Sequence, residues 1–194
     1  VSAVFDVVVV GFGYAGGMAA IAAADAGARV LLLEKQAAPG GISVCSAGGI
    51  RCTERPEDAL AYLMATNGGT TPEPVLLRLA EGMAEMPAVV RALAAPLGAR
   101  VSVRPASGNY PFPGADAFAF VNVDDVPGFD PVRDYPSVRG AAAGARLFRV
   151  VEENVRLRGI EVRCGVAAER LLVEGGRVVG VRAGGEIRAR GGVV

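Results

Sequence analysis

The sequence predicts an α/β fold in which a parallel sheet is covered by crossover helices. Three observations carry that prediction. Asp6-Val7-Val8-Val9-Val10 is an unbroken β-branched run, the pattern of a parallel strand buried on both faces. The Ala-rich stretch from Gly16 to Ala26 is a helix former that can lie close against a sheet, and Gly27 stands where its C-terminal cap belongs. Arg29 to Glu34 then reads as a second buried strand that ends on an acid, which closes a strand-helix-strand unit of about 30 residues.

The remaining elements follow in order. Pro56 starts a helix that runs to about Asn67, and Thr71-Pro72-Glu73 starts another, with Thr71 as N-cap and Pro72 at the first helical position. Pro87 should end or kink it. From Ala99 to Pro136 the chain reads as irregular and proline-studded, and it holds Tyr110, Phe112, Phe118, Phe120, Phe129 and Tyr135. An aromatic loop of that length either packs over something or functions. Between Gly140 and Arg158 the apolar positions Leu147, Val151 and Val155 recur at helical spacing beside Phe148, and Gly159 caps the helix before the short strand Ile160 to Arg163. The tail reads as a meander: Arg170 to Val173, a turn at Gly175-Gly176, Arg177 to Arg182, a turn at Gly184-Gly185, then Ile187 to Arg190.

Composition excludes several functions. A chain of 194 residues that is 52% hydrophobic can build a packed core and is neither disordered nor a disulfide scaffold. Lys plus Arg and Asp plus Glu number 20 each, so no net charge draws the chain to nucleic acid or an anionic membrane. The absence of histidine removes His-based general acid-base catalysis, Ser-His and Cys-His pairs, and His-ligated metals. Cys45, Cys52 and Cys164 are odd in number and lack C-x-x-C spacing, which fits reduced thiols in a cytoplasm. The apolar run from Phe12 to Ala24 stops at Asp25, short of the roughly 18 to 20 residues a membrane span needs. The chain begins with Val1, and Gly191-Gly192-Val193-Val194 reads as the start of a strand, so a part of a longer protein is expected.

The chemistry concentrates in one place. Gly11-Phe12-Gly13-Tyr14-Ala15-Gly16 is G-x-G-x-x-G between the first strand and the first helix. Gly11 allows the tight turn, Gly13 lets backbone N–H groups approach a pyrophosphate, and Gly16 lets the helix pack close to the strand. The helix N-terminus stabilises the anion. Glu34 stands about 20 residues further on, at the end of the second strand, where a carboxylate accepts hydrogen bonds from ribose hydroxyls and repels a phosphate on that ribose. A second glycine-rich stretch follows Lys35, from Pro39 to Ile50, placed to return toward the pyrophosphate.

These residues resemble FAD-dependent oxidoreductase family 2, the flavoproteins of the fumarate reductase, succinate dehydrogenase and 3-ketosteroid dehydrogenase type. The resemblance covers Asp6 to Arg51 closely and Leu147 to Val194 more loosely. It implies a Rossmann-like FAD-binding domain with a parallel sheet, crossover helices and a small β-meander, incomplete because family members are more than twice as long. On this reading residues 1–194 are the N-terminal part of one domain, 51–139 are a helical and irregular excursion from it, and the capping domain that meets substrate is absent. Tyr14, Ala15 and Lys35 are cofactor-binding candidates with the three motif glycines and Glu34, although a charge such as Lys35 is more often solvated. Carried over by residue, Gly40, Gly41 and Ser43 would contact the phosphate and ribityl portion, while Ser46, Ala47, Gly48 and Gly49 would lie along the flavin ring. An adenine contact falls on Ala167 or Ala168, of which Ala168 is taken.

Departures from the family refine the expectation. Members that attach flavin covalently use a His where this chain has Ile42, so FAD should be non-covalent. Cys45 and Cys52, separated by six residues, do not match the C-x-x-x-x-C of flavin disulfide reductases and read as small packing residues. The acids Asp116, Asp124, Asp125, Asp130 and Asp134 fit no calcium loop and read as solvated. The implied reaction moves a hydride between flavin N5 and a carbonyl-activated C–C bond of a small-molecule substrate, in either direction, with catalytic residues and electron partner open. A dehydrogenase using NAD shares the first motif and Glu34 but has no need of the Gly40–Gly49 loop. A nucleotide-binding piece without catalysis is the other alternative.

Overall fold

Residues 4–138 and 142–194 are described by a computed structural model. In chain order the elements are β1 (Val4–Val10), α1 (Tyr14–Asp25), β2 (Val30–Leu33), a 3-10 turn at Gly41–Cys45, β3 (Ile50–Thr53), α2 (Pro56–Thr66), α3 (Glu73–Ala94), β4 (Arg100–Pro105), β5 (Phe118–Asp125), the single turn α4 (Pro131–Asp134), α5 (Ala143–Leu157), β6 (Glu161–Arg163), β7 (Arg170–Glu174), β8 (Arg177–Arg182) and β9 (Glu186–Val193). They divide into two units, Val1–Ser46 with Asp130–Val194, and Ala47–Phe129. The excursion thus spans narrower bounds than 51–139 at its C-terminal end and begins earlier.

The first unit is a six-stranded sheet in the order β6-β2-β1-β9-β8-β7. β6, β2, β1 and β9 run parallel, and β7 and β8 extend the sheet antiparallel. The β-branched run of β1 and the all-buried Val30–Leu33 lie side by side in its parallel part, as continuous hydrophobic strands should. Phe5, Val8, Leu31, Leu33, Val181, Ala183, Ile187 and Ala189 make one core cluster. Helices α1 and α5 pack against each other, and a Cβ on Gly17 would stand 2.4 Å from Val151 Cγ1, so α1 needs a glycine there to approach α5. Helix α5 begins at Ala143; the expected start at Gly140 lies outside the described residues.

The meander is not a separate appendage. β9 pairs with β8 through Gly180–Arg188 to Arg182–Glu186, and its other edge pairs with β1 through Val4–Arg188 to Val8–Val193, with an irregularity between Phe5 and Val7. Gly191–Val193 are therefore the end of β9, which corrects their reading as the start of another strand. One strand edge is parallel and the other antiparallel, a pairing that a turn pattern does not reveal.

The second unit packs α2 and α3 on an antiparallel sheet of order β3-β5-β4. Ala59, Tyr62, Ala80 and Phe118 form its core cluster. The stretch expected to be irregular thus contains two strands: Phe118, Val121 and Val123 are buried along β5, and the prolines stand at or outside the strand ends. Thr71 is not the cap of α3. The Pro72 carbonyl accepts the N–H of Val75 and of Leu76, so Pro72 takes the N-cap place and the helix starts at Glu73. Nor does Pro87 end the helix, which runs on to Ala94; Pro87 costs one N–H, but Val90 and Ala94 beyond it are buried and hold the later turns to the unit. Cys52 is buried as expected, whereas Cys45, expected to be a packing residue, is exposed.

Candidate functional site

Strand β1 delivers the chain to Gly11, whose φ of +100° turns it sharply and whose N–H donates to the Leu33 carbonyl at 2.7 Å. Gly16 sits where a Cβ would lie 1.8 Å from the Gly11 carbonyl oxygen, so any side chain would force α1 away from the strand. Gly13 is the N-cap of α1 and has no side chain to cap it; a Cβ there would meet Ser43 Oγ at 2.9 Å. The first turn of α1 contains no acid. Among the described residues, the Ala15 and Gly16 N–H groups have no acceptor, which leaves two donors and the positive end of the helix for an anion.

Glu34 is 7% exposed at the end of β2. Its Oε2 accepts the Phe12 N–H at 2.9 Å and its Oε1 accepts the Gln36 N–H at 2.8 Å. A carboxylate offers about four lone-pair sites, so each oxygen keeps capacity for a hydroxyl donor. The loop after β6 lies alongside: Gly165 N–H donates to the Gln36 carbonyl and Val166 N–H to the Glu34 carbonyl. Ala168 is half-buried against the sheet core, Ala167 is exposed, and Lys35 is exposed.

The second glycine stretch is tied to the first. Gly40, at φ +108°, donates its N–H to the Phe12 carbonyl at 2.8 Å, and the buried Ser43 accepts the Tyr14 N–H on Oγ at 3.1 Å. Gly41 and Ile42 are exposed, Ile42 at 86%. The Tyr14 hydroxyl donates to the Gly144 carbonyl at 2.7 Å and lies 3.3 Å from Ser46 Oγ. Burial pushes the Tyr14 phenol above its ordinary range, partly offset by the Ser46 hydrogen bond, so it is a proton donor at neutral pH. Ala47, Gly48 and Gly49 begin the second unit, where Gly48 is buried at φ +72° and a Cβ on Gly49 would press on Asn122 and Phe120.

Two participants escape a reading of local motifs. Gly144 opens α5, and a Cβ there would stand 2.5 Å from the Ser46 carbonyl oxygen, 2.6 Å from Ser46 Oγ and 2.7 Å from the Ser43 carbonyl oxygen. The small-residue run Ala142 to Ala145 was the available hint. Phe148, fully buried, gathers the rings of Phe12, Tyr14 and Tyr135 within 6 Å. Of the acids, Asp116 pairs with Arg55, Asp124 with Arg104 and Asp134 with Arg133, while Asp130 caps α4.

The donor set suits a dinucleotide: free helix N–H groups for a pyrophosphate, a buried carboxylate for ribose, and glycines wherever a Cβ would fill the cradle. The family model described as "FAD binding domain" matches residues 6–194. The chain belongs to that family. Among curated relatives, this FAD-binding domain is 29% identical over 189 residues to the NADH:fumarate oxidoreductase of Klebsiella pneumoniae (strain 342), covering 92% of the chain and 18% of the relative. It is 30% identical over 169 residues to the fumarate reductase (cytochrome) of Shewanella frigidimarina, covering 86% of the chain and 27% of the relative. The FAD-binding domain thus spans less than a third of either. Among solved structures it matches the 3-ketosteroid-delta4-(5alpha)-dehydrogenase of Rhodococcus jostii RHA1 with a TM-score of 0.79 and 26% identity, over 98% of this chain and 45% of that one. A flavocytochrome c3 fumarate reductase shares the fold, with a TM-score of 0.71 over 98% of this chain and 32% of that one. FAD is therefore the cofactor that the site takes. No helix among the described residues is long and apolar enough to cross a membrane.

Proposed function

We propose that this FAD-binding domain serves an FAD-dependent oxidoreductase acting on a carbonyl-activated C–C bond of a small molecule, as the names of its relatives suggest. The observation that carries the reading is the wiring of Gly40 and Ser43 to Phe12 and Tyr14, because it brings a second glycine segment onto the first, a segment for which NAD binding has no need. When bound, FAD supplies the two-electron acceptor and donor at its flavin ring.

The chain's own residues do the holding. The Ala15 and Gly16 N–H groups and the N-terminal end of α1 meet the pyrophosphate, with Gly11 and Gly13 giving access. Glu34 orients the adenosine ribose and excludes a phosphate from it. Gly40, Gly41 and Ser43 face the phosphate and ribityl portion. Ser46, Ala47, Gly48 and Gly49 are assigned to the ring by family resemblance, as is the adenine contact at Ala168. Ile42 offers no nucleophile, so the cofactor is held without a covalent bond. Three free thiols suit the reducing cytoplasm.

The test is an absorbance spectrum of the purified chain after addition of FAD and gel filtration. A retained flavin band supports the reading. A colourless protein that instead takes up NAD in a titration favours the nicotinamide alternative.

A further inference from the structure

We propose that Tyr14 is a positioning residue for the cofactor: its phenol clasps the Gly40–Ser46 segment and the first turn of α5 onto the first turn of α1, so that the segment holds its FAD-receiving shape before FAD arrives. The inference rests on the FAD reading of this site and adds a role for the side chain of a residue whose backbone alone belongs to the motif.

The contacts form a closed circuit. From one residue, the Tyr14 N–H reaches Ser43 Oγ at 3.1 Å and the Tyr14 hydroxyl reaches the Gly144 carbonyl at 2.7 Å, with Ser46 Oγ at 3.3 Å. Gly144 N–H then donates to the Ser46 carbonyl at 3.1 Å, which joins α5 to the end of the segment. Glycine at 144 permits an approach that a Cβ would block from three sides, at 2.5 to 2.7 Å. The ring itself is fixed by Phe148, 5.9 Å between centroids. Without the phenol, the segment keeps the Gly40 N–H bond to Phe12 and the Tyr14 N–H bond to Ser43, while Ser46 and Gly144 lose the hydroxyl that joins them to α1. Gly40 and Gly41, both at positive φ, give the start of the segment wide backbone freedom in the absence of restraint. A segment ordered in advance saves the cofactor the entropy of ordering it.

Tyr14→Phe keeps the ring and removes only the hydroxyl. In the full chain, FAD binding followed by flavin fluorescence should weaken about tenfold, the worth of a hydrogen bond of this kind. Without FAD, amide hydrogen exchange at Ser43, Ser46 and the first turn of α5 should quicken, while β8, on the far side of β9, exchanges as in the wild type. Unchanged affinity and unchanged exchange would overturn the proposal. So would faster exchange shared equally by β8, since that reports general opening rather than a released clasp. Failure of the wild-type chain to bind FAD at all is a separate result, which removes the cofactor reading and the proposal with it.

Discussion

Glu34 and Phe12 meet across the mouth of the first turn, the carboxylate Oε2 accepting the backbone N–H at 2.9 Å. The same carboxylate holds Gln36 N–H on its other oxygen, so one buried side chain ties the G-x-G turn to the end of β2. Glu34→Gln preserves the volume and replaces one acceptor with an NH₂ donor, which sets a donor against a backbone donor. The expected loss is about 1 to 3 kcal/mol of stability, read by urea denaturation, together with weaker FAD binding by titration.

Glycines 16 and 82 both sit inside helices, and their substitutions should diverge. A Cβ on Gly16 would lie 1.8 Å from the Gly11 carbonyl oxygen, so Gly16→Ala should unfold the first turn or cost several-fold more than an ordinary surface change. A Cβ on Gly82 meets nothing within 4 Å, and Gly82→Ala should stabilise by about 0.5 to 1 kcal/mol through helix propensity. Paired urea curves decide both.

Phe148 is fully buried and meets three other rings, those of Phe12, Tyr14 and Tyr135. Phe148→Ala leaves a cavity between α1, α5 and the Gly40 segment and should cost about 3 to 5 kcal/mol, measured as the same shift in denaturation free energy.

Asp25 and Arg158 form a bidentate pair at 2.7 and 3.0 Å between the end of α1 and the end of α5. The Arg158 guanidinium holds the Asp25 carboxyl below the usual carboxylate range. A depressed folded pKa gives stability that is present above the unfolded value and is lost as pH falls through the folded one. The stability gap between wild type and Asp25→Asn should therefore be open at neutral pH and close in acid below the ordinary carboxylate pKa. A pH series of melting curves for the two proteins checks it.

Thiol reactivity should sort the three cysteines. Cys45 and Cys164 are exposed and Cys52 is buried, with burial pushing the Cys52 thiol up. A thiol-specific reagent should label two sites in the native chain and the third only after denaturant, as peptide mapping would show.

The sequence was most readable where structure is local. The β-branched strand, the spacing of Gly11, Gly13 and Gly16, the acid ending β2 and the paired turn glycines of the meander are each decided within a few residues, and they lie where such patterns place them. What escaped depends on partners distant in the chain. Tyr14 and Gly144 are 130 residues apart, and nothing within either neighbourhood announces the hydrogen bond. Strands β4 and β5 are framed by prolines, and only their mutual pairing and that of β3 make a sheet of them. Pro87 shows the reverse case, a strong local breaker overridden because the turns after it are buried.

The pairing of β9 with β1 has a consequence for how the protein comes to be. Val8 at one end of the chain lies beside Val193 at the other, and the two strands form the middle of the sheet. On a ribosome, β1 soon has β2 on one edge, but the strand for its other edge, β9, emerges only after Ala47–Phe129 and α5, while Ala47–Phe129, continuous in sequence, has its own partners at hand sooner. Contacts of such long range close slowly. The order of synthesis thus favours the inserted unit as the first to fold, and β1 spends that interval with an open apolar edge, the interval in which aggregation competes most strongly.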